Sequence, residues 1–501
     1  MHKQIKNFVI LGGGTAGWLT ANLMAKRWEG LGFNITVVES PNIDIVGVGE
    51  GSTPPLKHFF DEIGLKESEW MKECDATYKV GIEFPHWSTK PGFESYFHPF
   101  FTELDRFTAP GFFHNNQMRR QGVDLNGHPD PFFLSWELSK QRLAPVAPPN
   151  FPFELLYGYH FDSGRLGKYL QTVAAKRGVN YQQATVNDVV LDEAGYIERL
   201  KTEEGDDIVG DFFVDCTGLR GHLIQRALGV PYVSFGDVLF NDSALVFPTE
   251  PEDNPIPQTT STALKYGWIW KIPLTSRYSN GYVYSSRYVD DEDAEKEMRE
   301  HLGLSDADEP TRRIKFQIGR VQEHWAKNCL AVGLSQGFIE PLEATSIALV
   351  QVTAARFIEF FNRGGHSDQY CGDFNRFINM RFDSVRDYIA CHYHTNSRSD
   401  TDYWIDNRNN RNISAPLQAA LRSWMSGQNI TDELNRQNLS NYFPDTSWNC
   451  LLAGSGTFPA PEQLRPGSEH EDTYEMEKID KFIKSCALNF PSHQEQLANV
   501  G

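Results

Sequence analysis

The sequence has few cysteines, a deficit of basic charge and no long apolar run, and each shortage excludes a class of protein. Its seven cysteines never stand at Cys-x-x-Cys spacing, which argues against a zinc site or a redox dithiol. With 47 Lys and Arg against 66 Asp and Glu, the formal net charge is −19, which argues against nucleic acid or an anionic membrane as a partner. No apolar run is long enough to cross a membrane, and residues 1–6 lack a secretory signal. These shortages predict a soluble, cytoplasmic protein.

The chain is nevertheless long enough to bury large cores. Its 501 residues allow two or three structural units, and 40% hydrophobic with 23% charged residues is typical of a globular protein. Aromatic residues make up 13% of the chain, which fits either a large core or a pocket lined for flat ligands. Composition leaves both interpretations open.

The order of the sequence patterns indicates a mixed fold. Residues 6–11 predict a buried parallel strand, residues 18–26 a helix and Asn34–Glu39 a second strand, which together form a βαβ unit. Residues 85–152, rich in Pro, Gly, His and Phe, predict long loops. Later patterns predict an α/β fold of mixed α+β character with a helical C-terminal region. They predict helices at 164–177, 348–404, 417–424 and 474–487, and strands within 180–214, 267–274 and 281–288.

A glycine-rich segment lies between the first strand and the first helix. Gly12, Gly14 and Gly17 match Gly-x-Gly-x-x-Gly, with Thr15 and Ala16 inside the match. Glycines at these positions let backbone N–H groups approach a pyrophosphate at the helix N-terminus. Glu39 ends the second strand, 22 residues after Gly17, where an acid would bind the adenosine ribose of FAD or NAD. The alternative is a glycine turn with an incidental acid.

Two later segments favour FAD over NAD. Asp215–Gly218 ends a strand as Asp-x-Thr-Gly and is similar to the second dinucleotide segment of flavoprotein hydroxylases. Residues 328–335 form a strand followed by Gly333 and Leu334, a pattern that brings backbone close to a flavin. The three segments in this order predict an FAD-binding, Rossmann-like fold of the flavoprotein-monooxygenase type.

Further segments resemble the flavin-dependent halogenases of the tryptophan and indole halogenase family. Residues 268–273 match the family's W-x-W-x-I-P sequence, and residues 76–82 look like the strand that carries its essential lysine. Residues 340–347 are similar to its E-P-L-E-S-T-G segment, and residues 47–50, with Gly49, resemble a turn beside the flavin. The matches span residues 10 to 350, with weaker similarity through the C-terminal third.

The resemblance assigns a central role to Lys79. Residues 77–84 predict one strand, with Lys79 and Glu83 on the face opposite its apolar residues. In isolation Lys79 is a solvated strand lysine. The resemblance implies that it lies at the end of a tunnel from the flavin, where it hydrogen-bonds hypohalous acid or carries the halogen as a haloamine. It also implies that Glu343 lies near Lys79 and increases the electrophilicity of the oxidant; the alternative is an acid favoured by a helix dipole.

The halide segment departs from the family pattern. Thr345 and Ser346 stand where the family binds halide through backbone N–H groups, but Ala344 replaces the usual Ser and Ser346 the usual Gly. Glycine tolerates a left-handed backbone and the close approach of an ion better than serine does. We therefore expect bromide, which is larger and more easily oxidised, to be preferred over chloride.

The substrate contacts are assigned by the same resemblance. His98 and Phe100 stand where tryptophan halogenases carry a His and a Phe against the indole, and Trp448 falls in the region of their substrate lid; simple packing is the alternative. Trp268 and Trp270 share one strand face, either as a core stripe or as a wall that keeps the substrate from the flavin. Nothing matches a grip on an amino acid's carboxylate and ammonium, so tryptophan, indole and other electron-rich aromatics stay open.

Together with the resemblance, these assignments predict an FADH2-dependent halogenase. Residues 1–350 are the FAD-binding domain, with substrate-side segments at about 80–160 and 230–320, and residues 351–501 contribute to the substrate pocket. No second nucleotide fingerprint is visible, so a separate NAD(P)H-dependent flavin reductase is expected to supply FADH2. Reduced FAD, O2 and halide then give hypohalous acid. No metal is expected, because His392 and His394 lack further ligand spacing. An aromatic hydroxylase and a non-catalytic FAD-binding protein remain the alternative functions, and whether the chain forms a homodimer stays open.

Overall fold

A computed structural model describes residues 5–42, 48–304, 310–468 and 470–500, so Gly47 of the predicted flavin-side turn lies outside the described residues. The strands are, in chain order, β1 (Asn7–Leu11), β2 (Asn34–Glu39), β3 (Gly49–Gly51), β4 (Thr77–Lys79), β5 (Gly81–Glu83), β6 (Phe97–Pro99), β7 (Val123–Asp124), β8 (Gly158–Asp162), β9 (Asn180–Gln183), β10 (Val186–Leu191), β11 (Ile197–Thr202), β12 (Asp207–Val209), β13 (Phe212–Asp215), β14 (Tyr232–Ser234), β15 (Ser243–Thr249), β16 (Thr259–Ala263), β17 (Gly267–Pro273), β18 (Tyr278–Tyr284), β19 (Arg312–Lys315), β20 (Gly319–Val321), β21 (Trp325–Ala326), β22 (Cys329–Ala331), β23 (Gly337–Phe338) and β24 (Arg465–Pro466).

The helices alternate with these strands and dominate the C-terminal part. They are α1 (Thr15–Arg27), α2 (Pro55–Glu62), α3 (Glu67–Trp70), α4 (Ala109–Arg120), α5 (Leu134–Lys140), α6 (Ser163–Lys176), α7 (Asp291–Leu302), α8 (Ser346–Arg363), α9 (Cys371–Thr395), α10 (Asp402–Arg408), α11 (Ala415–Met425), α12 (Ile430–Arg436), α13 (Asp445–Gly454), α14 (Met476–Ala487) and α15 (His493–Val500). The predicted mixed α/β fold is confirmed. Among the described residues, no helix combines the length and apolarity that a membrane crossing requires.

The chain forms two compact units. The first comprises Met1–Ala76, Phe161–Phe235 and Phe316–Asp383, and the second comprises Thr77–His160, Gly236–Lys315 and Ser384–Gly501. The division by function into residues 1–350 and 351–501 stays a prediction.

The first unit is built on a six-stranded sheet of order β21-β22-β13-β1-β2-β9. All neighbours in it pair in parallel except the edge strand β21. Residues Phe8–Leu11 of β1 are buried throughout, as is typical of a parallel strand covered on both faces. Helix α1 packs against α6 and α8. The predicted βαβ unit is confirmed, and β2 has the predicted bounds.

The second unit is built on a seven-stranded sheet of order β19-β15-β18-β17-β16-β5-β6. Strand β17 pairs antiparallel with β16 and β18, and every residue of it is buried except Lys271. The strand predicted at 281–288 is β18, which begins three residues earlier and ends at Tyr284.

Two predictions about the second unit are wrong. Residues 85–152 contain α4 and α5 rather than only long loops; Pro110 and Gly111, which suggested a loop, lie in the first turn of α4, where proline is tolerated. Residues 77–84 do not form one strand: Val80 interrupts it, and β4 and β5 on either side belong to different sheets. The Val80 N–H donates to the carbonyl of Pro257, and its carbonyl accepts from the Phe100 N–H, both at 2.8 Å.

Candidate functional site

The segments predicted to bind a dinucleotide meet at one edge of the parallel sheet in the first unit. Gly12 follows β1, Glu39 ends β2, Asp215 ends β13 and Gly333 lies just beyond β22. Because these strands are parallel, their carboxyl ends share one edge, which is where open α/β sheets bind ligands. Backbone hydrogen bonds join the segments there, including the one from the Val332 N–H to the Asp215 carbonyl at 3.0 Å.

The glycine loop is shaped by two close backbone approaches. Gly12 has φ +119°, and a Cβ there would lie 2.2 Å from the carbonyl oxygen of Cys216. A Cβ at Gly17 would lie 2.0 Å from the carbonyl oxygen of Gly12. Contacts this short exclude any side chain, so the tight turn between β1 and α1 requires glycine at both positions.

Gly14 differs, because a Cβ there would meet no atom within 4 Å. It precedes α1, whose first turn carries no acidic residue. The hydroxyl of Thr15 donates to the carbonyl of Ser163 at 2.8 Å, while a Cβ at Gly333 would lie 2.8 Å from that of Ala16. The loop therefore leaves open space in front of a helix N-terminus, whose N–H groups and dipole favour a phosphate.

Glu39 lies directly against this loop. A Cβ at Gly13 would lie 2.4 Å from the carboxyl carbon of Glu39. Burial raises the pKa of Glu39, while a hydrogen bond from Tyr181 and the charge of Lys168 lower it. An acceptor beside a glycine loop is the arrangement that suits a ribose diol. The open phosphate position and this acceptor together fit the adenosine end of FAD.

Asp215 stabilises the turn that follows it in the chain. Its buried carboxylate accepts from the N–H and hydroxyl of Thr217, at 3.0 and 2.6 Å, and from the N–H groups of Leu223 and Ile224, at 2.7 and 2.8 Å. The carboxylate thus fixes the loop that contains Gly218. Direct contacts of Asp215, Gly218 and Leu334 with FAD stay predictions.

Gly49 lies in β3, and Val48, the residue before it, is tied to the glycine loop through Ser163. The Ser163 hydroxyl donates to the carbonyl of Val48 at 2.9 Å, and the Ser163 carbonyl accepts from Thr15. Burial raises the pKa of the neighbouring Glu50 to about 7, against a hydrogen bond with Ser163 that lowers it. Ser163 therefore holds both Val48 and Thr15 in place.

The halide segment also lies in the first unit. Residues Pro341–Glu343 form a 3-10 turn and Ser346 begins α8. Glu343 and Thr345 are buried, and the Thr345 hydroxyl has no hydrogen-bond partner among the described residues. The left-handed backbone falls on Ala344, with φ +54°, and not on Ser346. The expectation that Ser346 weakens the halide site because serine disfavours a left-handed backbone is therefore wrong.

Lys79 lies in the second unit and is fully buried. It ends β4, where it pairs with Gly158 of β8. Its ammonium nitrogen lies 5.4 Å from the centroid of the Phe100 ring, within the range of a cation–π contact. Because its side chain is fully buried, Lys79 is not a solvated strand lysine. A lysine is almost never fully buried without a specific role or partner.

Two of the three predicted substrate residues, His98 and Trp448, lie in one aromatic cluster of the second unit, around Tyr388. The Nε2 atom of His98 lies 2.9 Å from the hydroxyl of Ser447, the residue before Trp448. The Trp448 ring meets Tyr388 edge-on at 4.9 Å, and Tyr388 stacks on Phe443 at 3.7 Å. Ser447 and Tyr388 were not predicted from the sequence, where the one indication is that Ser447 directly precedes Trp448.

Trp268 and Trp270 pack inside the same unit. Their ring centroids lie 6.1 Å apart, and both side chains are buried. Gly281 on β18 leaves room for Trp270, since a Cβ there would lie 2.0 Å from that ring. The two tryptophans are therefore part of the core of this unit, and their role as a barrier beside the flavin stays a prediction.

The two histidines that were predicted not to bind metal, His392 and His394, lie in different surroundings. The Nδ1 atom of His392 lies 3.3 Å from the Tyr96 hydroxyl. Burial lowers the pKa of His394. Within the described ranges, no group of three or more His, Cys, Asp or Glu is arranged to hold a metal ion.

Known proteins match the chain over nearly its whole length. The family model of the tryptophan halogenases matches residues 7–470. The 7-chloro-L-tryptophan 6-halogenase KtzR of Kutzneria sp. (strain 744) is 35% identical over 520 aligned positions, covering 98% of this chain and 99% of the relative. The structure of tryptophan 6-halogenase SttH from Streptomyces toxytricini has a TM-score of 0.84 at 33% identity, covering 98% and 99%. That of BrvH, a flavin-dependent halogenase from Brevundimonas sp. BAL3, has a TM-score of 0.84 at 30% identity, covering 99% of both.

Proposed function

The chain belongs to the tryptophan halogenase family, and we propose that it uses reduced FAD, O2 and a halide ion to halogenate an electron-rich aromatic such as indole or tryptophan through Lys79. One observation carries the proposal: Lys79 is fully buried, with its ammonium over the Phe100 ring. Burying a lysine is costly, so a catalytic use accounts for its place better than packing does.

The first unit would hold FAD at the loop of Gly12–Gly17, with the pyrophosphate before α1 and the ribose at Glu39. When bound, reduced FAD supplies the two electrons with which O2 and halide are converted to hypohalous acid and water. Thr345 and Ser346, at the N-terminus of α8, would hold the halide through backbone N–H groups, since a helix N-terminus favours an anion.

Lys79 has two chemical options for the oxidant. As an ammonium it donates a hydrogen bond to the oxygen of hypohalous acid, which makes the halogen more electrophilic. As a free amine it displaces water from hypohalous acid and forms a halogen–nitrogen bond. In both, the halogen replaces a ring hydrogen of the substrate, which leaves as a proton. Glu343 would raise the electrophilicity of the oxidant as a carboxylate.

His98, Phe100 and Trp448 are the proposed substrate contacts. Aromatic side chains stack on flat rings, and His98 adds a polar edge that Ser447 orients at 2.9 Å. Such a set favours a small aromatic molecule as substrate, with Trp268 and Trp270 excluding it from the flavin.

We further propose bromide as the better halide and a separate NAD(P)H-dependent flavin reductase as the partner. The hydroxyl of Thr345 is buried and free of protein partners within the described residues, and it could donate to a halide. Bromide loses less hydration than chloride on entering such a site and is more readily oxidised, which supports the preference.

The test is turnover of the full-length chain with a flavin reductase, NADH, FAD, O2, and bromide or chloride. A panel of indole, tryptophan and substituted indoles is incubated, and products are identified by mass spectrometry. We expect monohalogenated products that require the reductase and the halide. Hydroxylated products formed equally without halide would point to a hydroxylase, and bound flavin without any product would point to a non-catalytic protein.

A further inference from the structure

The strand that carries Lys79 is held by a residue far away in the chain. The backbone N–H of Tyr78, the residue before Lys79, donates to Nε2 of His493 at 3.2 Å. His493 begins α15 and is separated from Tyr78 by 415 positions. Every second N–H of an antiparallel strand points away from its partner strand, and the imidazole receives this one. The two aromatic rings also pack, with centroids 6.0 Å apart.

The hydrogen bonds of His493 fix its protonation state. Its Nδ1 atom lies 2.7 Å from the carbonyl oxygen of Pro255, which can only accept, so Nδ1 carries the proton. Nε2 must then offer a lone pair, which is what the Tyr78 N–H requires. If the imidazole were protonated, its Nε2–H and the Tyr78 N–H would be two donors facing each other with no acceptor between them. The side chain is fully buried, and this burial lowers the pKa of His493 to about 4.

A second buried imidazole holds the other side of the strand. The Thr77 hydroxyl donates to the carbonyl of Pro273 at 2.8 Å, so its oxygen accepts from Nδ1 of His160 at 3.0 Å. Nε2 of His160 then accepts from the Thr259 hydroxyl at 3.0 Å. The two residues before Lys79 are therefore both fixed by neutral imidazoles, which bring no competing charge to the lysine.

We propose that His493 is a positioning residue for Lys79: by accepting the Tyr78 N–H it sets the register and direction of β4, and so the place of the ammonium beside Phe100. The proposal rests on the proposed function of Lys79. A displaced Lys79 would still leave reduced FAD able to react in the first unit. Hypohalous acid would then escape to solvent, so the defect appears in coupling and not in flavin oxidation.

The experiment compares full-length His493→Leu, which has no acceptor for the N–H, with His493→Gln, whose amide oxygen can accept it. His470→Asn, at an exposed position, is the control. Two quantities are measured with bromide and indole: halogenated product per reduced flavin oxidised, and free hypohalous acid trapped by a diketone scavenger. The thermal midpoint of each variant is recorded. If His493→Leu does not fold, His493→Asn, which keeps the donor to Pro255 but not the distal acceptor, takes its place with the same expectation.

We expect the acceptor-free variant to lose coupling by roughly two- to tenfold, the worth of one hydrogen bond. Trapped hypohalous acid should rise, flavin oxidation should be unchanged, and His493→Gln should restore coupling. The proposal is overturned if coupling in the acceptor-free variant equals that of the control, or if His493→Gln falls equally. A wild-type chain that makes no halogenated product overturns the proposed function instead.

Discussion

Lys79 and Phe100 meet inside the second unit, with the ammonium nitrogen 5.4 Å from the centroid of the ring and both side chains buried. The ring stabilises the positive charge in a place that water does not reach. The same ring is a proposed substrate contact, so one residue would touch both the oxidant carrier and the aromatic to be halogenated. The Phe100 N–H donates to the carbonyl of Val80, the residue after Lys79, at 2.8 Å, and this hydrogen bond brings the ring close to the lysine.

Two glycines of the same loop should fail in different ways when each is changed to alanine. Gly14→Ala meets no protein atom within 4 Å, so the variant should fold normally yet exclude the pyrophosphate and lose FAD binding. Gly17→Ala would place its methyl group 2.0 Å from the Gly12 carbonyl, so it should destabilise the first unit itself. Thermal unfolding without FAD and flavin fluorescence titration separate the two effects. If Gly14→Ala bound FAD tightly, the pyrophosphate would have to bind somewhere other than in front of α1.

Glu39→Gln should weaken FAD binding. The carboxylate lies against the glycine loop, and replacing a charged acceptor by a neutral amide removes a charge-assisted hydrogen bond, which corresponds to roughly a 10- to 100-fold rise in Kd. Glu29→Gln, an exposed acid in the same unit, is the matched control. Equal FAD affinities of the two variants, measured by isothermal titration, would argue that the ribose does not bind at Glu39.

Bromide should outcompete chloride when both are present at equal concentration. Products are scored by mass, and a brominated majority is expected. Since Ser346 takes part in a normal helix start and Ala344 has the left-handed backbone, Ala344→Gly should relieve the turn and raise the chlorinated fraction more than Ser346→Gly does. A chlorinated majority from the wild-type chain would contradict the preference.

Stability should fall on mild acidification partly because of His493. Burial lowers the pKa of His493 to about 4, below the value of about 6.5 in an unfolded chain. The unfolded state therefore binds more protons as the pH falls from 6.5 to 4, so stability present above pH 6.5 is lost through that window, by up to about 3 kcal/mol. His493→Gln should show a shallower fall of the thermal midpoint between pH 7 and 5. Parallel curves for both proteins would mean that His493 does not titrate there.

Local patterns predicted the elements that depend on local sequence. The apolar run before the glycines predicted β1, the glycine turn predicted the start of α1, and the apolar pattern of residues 34–39 predicted β2. Each of these elements depends on residues that are next to one another in the sequence. The split of residues 77–84 could not be predicted, since it depends on hydrogen bonds from Val80 to Pro257 and Phe100. Proline and glycine mark loops and also helix first turns, which is why α4 was missed.

The candidate site residues were predicted from two kinds of pattern. The spacing of the glycines and of Glu39 predicted the dinucleotide site, and the family resemblance predicted Lys79, because the residues of each motif follow one another in a recognisable order. Neither pattern could identify Tyr388 or His493, because nothing in the surrounding sequence marks them and their partners lie far away in the chain. The left-handed position in the halide segment was assigned to the wrong residue, because a replaced glycine suggested strain that the chain places two residues earlier.

The role of Lys79 is tested most directly by comparing Lys79→Ala with Lys271→Ala, which changes a lysine exposed on β17. Halogenated product and oxidation of reduced flavin are measured in the same reactions. We predict that Lys79→Ala lowers product formation by roughly 100- to 10,000-fold, the range of a positioned proton donor, while oxidising reduced flavin at the wild-type rate. Lys271→Ala should match the wild-type chain in both. Halogenated product from Lys79→Ala at the wild-type yield would show that halogenation does not proceed through Lys79.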